Sequence, residues 1–122
     1  PPPPSTGRRQ RQMCIRDRLQ ANRIVSGGRL WAIDWEYCAM GSPWYDLAVV
    51  SAGDALTAAQ TGELLQAYLG RPWTGEEWTM LHRHECLYRY IEILWYLANG
   101  RDASDPALAK RLEELEQALL SP

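Results

Sequence analysis

A mainly helical chain with one small β-hairpin is the fold class this sequence predicts, and three observations carry it. Apolar residues recur at helical spacing through most of the chain beyond Pro43. Two capping boxes and two proline-led helix starts punctuate that stretch. Near the start, two short apolar segments flank Ser26-Gly27-Gly28, the pattern of a tight antiparallel hairpin.

Composition sets the bounds. The 122 residues are 46% hydrophobic and 23% charged, enough for one modest core. A net charge of −2 gives no basic field to concentrate nucleic acid or an anionic membrane surface, so no nucleic-acid partner is expected. The three cysteines, Cys14, Cys38 and Cys86, are odd in number and lack C-x-x-C spacing, and no apolar secretory segment accompanies them. Reduced thiols in a cytoplasmic protein are the expectation. The apolar run at 90–98 is bounded by Arg89 and Asn99 and falls short of the roughly 18 residues that suggest a membrane span.

The elements are read in order. Residues 1–18 open with four prolines and continue with Arg8, Arg9, Arg11, Arg16 and Arg18, with almost nothing apolar to bury; a disordered tail is expected. Gln12-Met13-Cys14-Ile15-Arg16-Asp17-Arg18 resembles the peptide translated from a transposon-end adapter used in sequencing libraries, which would start the natural chain near Leu19. The hairpin is expected over 22–35, with Leu30, Ala32 and Asp34 on one face of its second strand. Gly41 and Pro43 mark a loop, and Pro43 opens a helix over about 43–53. Thr57 with Gln60, and Thr74 with Glu77, are capping boxes that start helices over about 57–69 and 75–98, the first closed by Gly70 and Pro72 and the second by Asn99-Gly100. Asp105-Pro106 opens a last helix over about 106–120, with Leu108, Leu112, Leu115 and Leu119 on one stripe. No internal repeat is found.

The chemistry concentrates in residues 29–37, Arg-Leu-Trp-Ala-Ile-Asp-Trp-Glu-Tyr, because Asp34 ends an apolar strand. A carboxylate so placed either presents itself to a metal ion or substrate, or caps backbone amides of the next loop; spacing alone leaves both open. His82, His84 and Cys86 suggest zinc, yet helical positions two apart point in different directions, and an ordinary helix-surface or core role is the plainer reading.

Ile33-Asp34-Trp35-Glu36-Tyr37, followed by Gly41-x-Pro43 and Asp46-Leu47-Ala48, resembles the segment I-D-[WF]-E-Y-A-x-x-G-x-P-x-x-D-L-A of the choline/ethanolamine kinase branch of the aminoglycoside phosphotransferase superfamily. The resemblance spans 30–50 and departs from the family at Cys38-Ala39-Met40. It implies the C-terminal lobe of a protein-kinase-like α+β fold, an ATP-dependent phosphotransferase, Mg²⁺ as metal and ATP as co-substrate. It implies that Asp34 holds Mg²⁺ as the aspartate of the kinase D-F-G motif does. Leu19-Gln20-Ala21-Asn22 fits the end of the family's catalytic loop H-x-D-x-x-x-x-N, which makes Asn22 a second metal ligand. Asp17, five positions earlier, falls at the catalytic base, although Ile15 replaces the family's histidine. Asp46 resembles the family aspartate that ties its helix to the catalytic loop, a structural role.

The implied substrate is a small amino alcohol, choline or ethanolamine first, thiamine or an aminoglycoside behind. Glu36 and Trp95 are the candidate substrate contacts, with Trp44, Tyr45, Tyr88, Tyr90 and Tyr96 as further members of an aromatic wall for a quaternary ammonium or, alternatively, of the core. A Gly-rich phosphate loop is absent, and no lysine occurs before Lys110. The missing N-terminal lobe of the same enzyme is therefore the expected partner, and a non-catalytic helical binding or scaffold fragment is the alternative.

Overall fold

The computed structural model describes residues 12–13, 23–32 and 39–121. Four short strands, β1 (Gln12–Met13), β2 (Arg23–Ser26), β3 (Arg29–Ala32) and β4 (Ala39–Met40), precede four helices, α1 (Pro43–Gly53), α2 (Ala58–Leu69), α3 (Gly75–Ala98) and α4 (Pro106–Leu120). The described chain is thus mostly helical with a small antiparallel hairpin.

β2 and β3 pair antiparallel, from Arg23 opposite Ala32 to Ser26 opposite Arg29. Gly27 and Gly28 both take positive φ, 60° and 73°, the left-handed pair whose twist matches the flanking strands and which side chains other than glycine tolerate poorly. The described hairpin covers 23–32; the strand expectation for 33–35 lies outside the described residues. Of its apolar side chains, Ile24, Val25 and Leu30 are exposed and Trp31 is half-buried.

Two residues of the expected tail are among the described ones. Gln12 and Met13 form β1, paired antiparallel with Met40 and Ala39 of β4, and β1 lies against α1. Such pairing uses only main-chain donors and acceptors and requires no apolar periodicity, so a search for buried side chains passes over it. The rest of 1–18 lies outside the described residues.

α1 is the central element. Ser42 caps it, its Oγ accepting from Trp44 N at 3.3 Å, and Pro43 follows at the first helical position, where no N–H is needed. Tyr45, Leu47, Ala48, Val49 and Ser51 are all buried, so the helix is covered on more than one side. Leu47 and Ala48 pack with Leu65 of α2 and Leu81 of α3, flanked by Trp44, Leu64, Leu69 and Trp78. On the other side Tyr45 and Val49 pack with Tyr88 of α3, flanked by Ala52 and Ile91. Leu81 and Tyr88 are seven residues apart and share one face of α3, which therefore lies along α1 through both clusters.

Local chemistry sets the helix ends. Thr57 Oγ1 accepts from Gln60 N at 3.2 Å while Gln60 Oε1 accepts from Thr57 N at 3.0 Å. Thr74 and Glu77 make the same reciprocal pair at 3.3 and 2.8 Å, and Arg71 adds an ion pair to Glu77 that, with the Thr74 amide, holds the Glu77 carboxyl at about 2. Gly70 closes α2 in the left-handed conformation, φ 71°. Asp105 caps α4 by accepting from Ala107 N at 2.8 Å.

α4 joins the body differently. Of its leucine stripe only Leu108 is fully buried, and Leu119 is 66% exposed. Polar bonds carry the rest: Arg111 Nε donates to Glu92 at 2.7 Å, Arg89 donates to Glu114 at 3.3 Å, and His82 Nε2 donates to the Ala118 carbonyl at 2.9 Å. No described helix is long and apolar enough to cross a membrane.

Two predictions follow from this packing. Leu81→Ala removes a side chain buried at the meeting of three helices and is expected to cost about 2–5 kcal/mol, whereas Leu112→Ala, partly exposed, is expected to cost under about 1 kcal/mol; urea unfolding of both variants measures the contrast. Burial, and then the charges of Asp46 and Glu92, push the Tyr45 phenol up to about 12 from its ordinary 10. A raised folded-state value means that the neutral phenol stabilises the fold fully below pH 10 and that this contribution is lost as pH rises through about 12. The urea midpoint is expected to fall across that window, and less steeply in Tyr45→Phe.

Candidate functional site

Asp17, Asn22, Asp34 and Glu36 lie outside the described residues, while the elements on either side of them are described. Arg23, bonded to Asn22, pairs in register with Ala32, two residues ahead of Asp34. The hairpin therefore brings its two chain ends together at the side from which the candidate residues continue. β4 and α1 follow Asp34 and Glu36 in the chain, so the stretch that carries those two residues is bounded by the hairpin before and by the central helix after.

One interaction joins these two boundaries. Nη2 of Arg23 donates to both carboxylate oxygens of Asp54, at 2.6 and 2.7 Å, and Asp54 is the residue that ends α1. Both side chains are largely buried, 15% and 20% exposed. Nothing in the sequence marks this pair, since 31 positions separate an arginine at a strand start from an aspartate at a helix end.

Asp46 sits half-buried in the first turn of α1, where a carboxylate is favoured by the helix dipole and where its charge contributes to raising the Tyr45 phenol. The loop to which it was expected to tie the helix lies outside the described residues. A second buried polar link fixes α1 to α3: Ser51 Oγ donates to Glu85 at 2.6 Å. Glu85 in turn lies 3.7 Å from His82 Nδ1.

The aromatic residues separate into distinct environments. Tyr45 and Tyr88 are core residues in edge-to-face contact, centroids 6.5 Å apart, and Tyr88 donates its hydroxyl to Glu92 at 3.0 Å. Burial and Glu92 raise the Tyr88 phenol as well. Trp44 meets Tyr68 edge-on. The Tyr96 ring is covered by the guanidinium groups of Arg101 and Arg111, at 4.9 and 4.5 Å from its centroid. Trp95 stands edge-on to Tyr96 and is 60% exposed. Of the expected wall, the buried tyrosines serve the core, Tyr96 is occupied by arginines, and Trp95 has ring surface open to a ligand.

The zinc-like trio is used otherwise. His82 bonds to Ala118, and His84 Nδ1 donates to the Met80 carbonyl at 2.8 Å within its own helix. Burial and Glu85 raise the Cys86 thiol, which disfavours the thiolate form that a metal ion takes. Among the described residues no cluster of three metal-ligating side chains occurs.

Comparison with known proteins agrees with this architecture. The chain is similar over 89% of its length to the crystal structure of a choline/ethanolamine kinase family protein from Mesorhizobium loti, with a TM-score of 0.77 and 28% identity, covering 39% of that chain. It is 28% identical over 109 residues to the protein LicA of Haemophilus influenzae strain Rd, which takes in 82% of this chain and 40% of LicA. A second Haemophilus influenzae LicA gives the same identity with 32% of its length covered. The chain thus spans about two fifths or less of the proteins it resembles. The model of the phosphotransferase enzyme family matches residues 2–82, which include the motif segment, the hairpin, α1, α2 and the first third of α3. On that match, supported by the shared helical architecture, the chain belongs to the phosphotransferase enzyme family.

Proposed function

We propose that this chain is the C-terminal part of a cytoplasmic ATP-dependent kinase that transfers the γ-phosphoryl group to a hydroxyl of a small amino alcohol. Choline or ethanolamine is the first substrate class, with thiamine or an aminoglycoside behind it. The observation that carries the reading is the string from Ile33 to Ala48, which joins the Asp34 motif to the first turn of α1 within the region of the family match.

The roles divide among named side chains. Asn22 and Asp34 would offer an amide oxygen and a carboxylate, and such an all-oxygen donor set suits Mg²⁺. The ion, when bound, would neutralise charge on the nucleotide phosphates. Asp17 would accept the proton of the substrate hydroxyl as that oxygen bonds to the γ-phosphorus and the bond from phosphorus to the β–γ bridging oxygen breaks. Trp95, with its ring exposed, offers a π face to a quaternary or primary ammonium, and Glu36 offers that cation a carboxylate.

A second reading, a non-catalytic helical binding fragment, is favoured by one observation: Lys110 is the sole lysine of these residues, and it lies in α4, far along the chain from any phosphate loop. The two readings separate in an assay. The 122-residue chain alone is expected to turn over ATP at background with choline, ethanolamine or thiamine, because metal ligands alone do not orient a γ-phosphate. Turnover that Asp34→Asn abolishes in this chain alone would show the nucleotide lobe to be dispensable.

In the full-length enzyme, Asp34→Asn keeps the size of the side chain and removes its charge. It is expected to lower kcat by at least about a hundredfold with the fold intact. Glu36→Gln is expected to act mainly on KM for the amino alcohol. Kinetics beside circular dichroism test this, and a folded Asp34→Asn enzyme with near-normal kcat would refute the metal-ligand assignment.

A further inference from the structure

We infer that the Arg23–Asp54 ion pair is a positioning element, which holds the open end of the hairpin against α1 and so fixes where the chain carrying Asn22 and Asp34 begins and returns. The inference rests on the functional reading of those two residues given above.

Three observations lead to it. First, Arg23 sits where its effect on the site is greatest, adjacent to Asn22 in sequence and opposite Ala32 in the ladder. A displacement of this one residue moves both chain ends together.

Second, few described side chains anchor the hairpin. Among the described residues, the side-chain hydrogen bonds that join it to the helices are those from Arg23 to Asp54. The Trp31 indole donates within the hairpin, to the Ser26 carbonyl at 3.3 Å. Ile24, Val25 and Leu30 are exposed and Trp31 is half-buried, so among the described residues little apolar surface of the hairpin is covered. A two-stranded ribbon with an uncovered face is marginal by itself and takes its orientation from whatever tethers it.

Third, Asp54 is badly placed for stability and well placed for tethering. It ends α1, where the helix dipole is negative and an acidic side chain is unfavourable. Its backbone is nevertheless held firmly. The Asp54 N–H donates to the Val50 carbonyl at 3.0 Å, Leu56 N–H donates to the Ser51 carbonyl at 2.9 Å, and Ala55 between them takes a left-handed φ of 52°. The carboxylate therefore projects from a rigid helix end, and a guanidinium placed beside it restores the charge balance. A largely buried pair of this kind adds little net stability, because desolvation offsets the attraction, and in some proteins such pairs serve to fix one arrangement.

The test combines a structural and a kinetic readout. On the 122-residue chain, amide exchange in residues 24–32 of Arg23→Ala and of Asp54→Asn is expected to rise about tenfold or more while exchange in α3 stays unchanged. Unchanged hairpin exchange in both variants would overturn the inference, whatever the enzyme does. In the full-length enzyme, both variants are expected to lose about tenfold to a hundredfold in kcat, with KM for the amino alcohol within about threefold of normal. Arg23→Lys, with a single ammonium in place of the fork, is expected to recover part of that loss, and the exchanged pair Arg23→Asp with Asp54→Arg more of it. Loosened exchange with undiminished kcat would show a tether without a catalytic consequence and would also overturn the inference. Asp34→Asn, measured alongside, separates the two levels: normal kcat there refutes the functional reading, whereas a large loss there with none in Arg23→Ala refutes only the positioning role.

Discussion

Two-sided burial of α1 is the constraint on which the rest of this structure depends. Its eleven residues present apolar surface to α2 and α3 on one side and to a different stretch of α3 on the other. A helix gripped from two sides cannot rotate or slide without opening one of the clusters, and close-packed interiors resist such motion. Ser51 adds direction to that grip, because its bond to Glu85 is satisfied in one register of α1 against α3. The motif string runs on into the first turns of α1, at Asp46-Leu47-Ala48, so a firmly packed helix continues the part that carries the proposed chemistry.

The hairpin and the helical body obey different physics. In the body, side chains such as Leu65 and Ala48 lose all contact with water, and orientation comes from packing. In the hairpin, backbone pairing and the two left-handed glycines create the shape, but they say nothing about how the shape sits on its neighbour. Among the described residues, the side-chain hydrogen bonds that join it to the helices belong to one charged contact. Phosphoryl transfer depends on placement of ligands to within fractions of an ångström, so a division in which packing supplies rigidity and one ion pair supplies alignment places a large demand on that pair.

What could be read from the sequence was local. The ends of α2 and α3 follow from Thr57 with Gln60 and Thr74 with Glu77, which bond across three positions and need no tertiary context. Pro43 and Asp105-Pro106 mark helix starts by the same kind of short-range chemistry. Contacts across long separations left no trace: Ser51 with Glu85 and Arg89 with Glu114 join residues whose types are common on any helix. β1 was missed because two residues carry no periodicity. The aromatic residues look alike in sequence, and packing alone distinguishes the buried Tyr45–Tyr88 pair from the arginine-covered Tyr96 and the open Trp95. Asp34 stood out only through the ordered motif around it, since an aspartate after an apolar strand serves a cap as readily as a metal.

The polar seam between α3 and α4 has its own consequence. Arg111 with Glu92 and Arg89 with Glu114 form a reciprocal exchange of charges between the two helices, each partner between a quarter and two fifths exposed. Attractions of this kind fade as dissolved ions crowd around them, with a reach of about 10 Å in dilute buffer that shrinks to about 3 Å in concentrated salt, whereas the clusters around α1 are indifferent or strengthened. Ionic strength therefore weighs on the seam between α3 and α4 more than on the packed clusters, which leaves a salt-tolerant kernel of α1, α2 and α3 beside a helix held by one buried leucine and by salt-sensitive ion pairs.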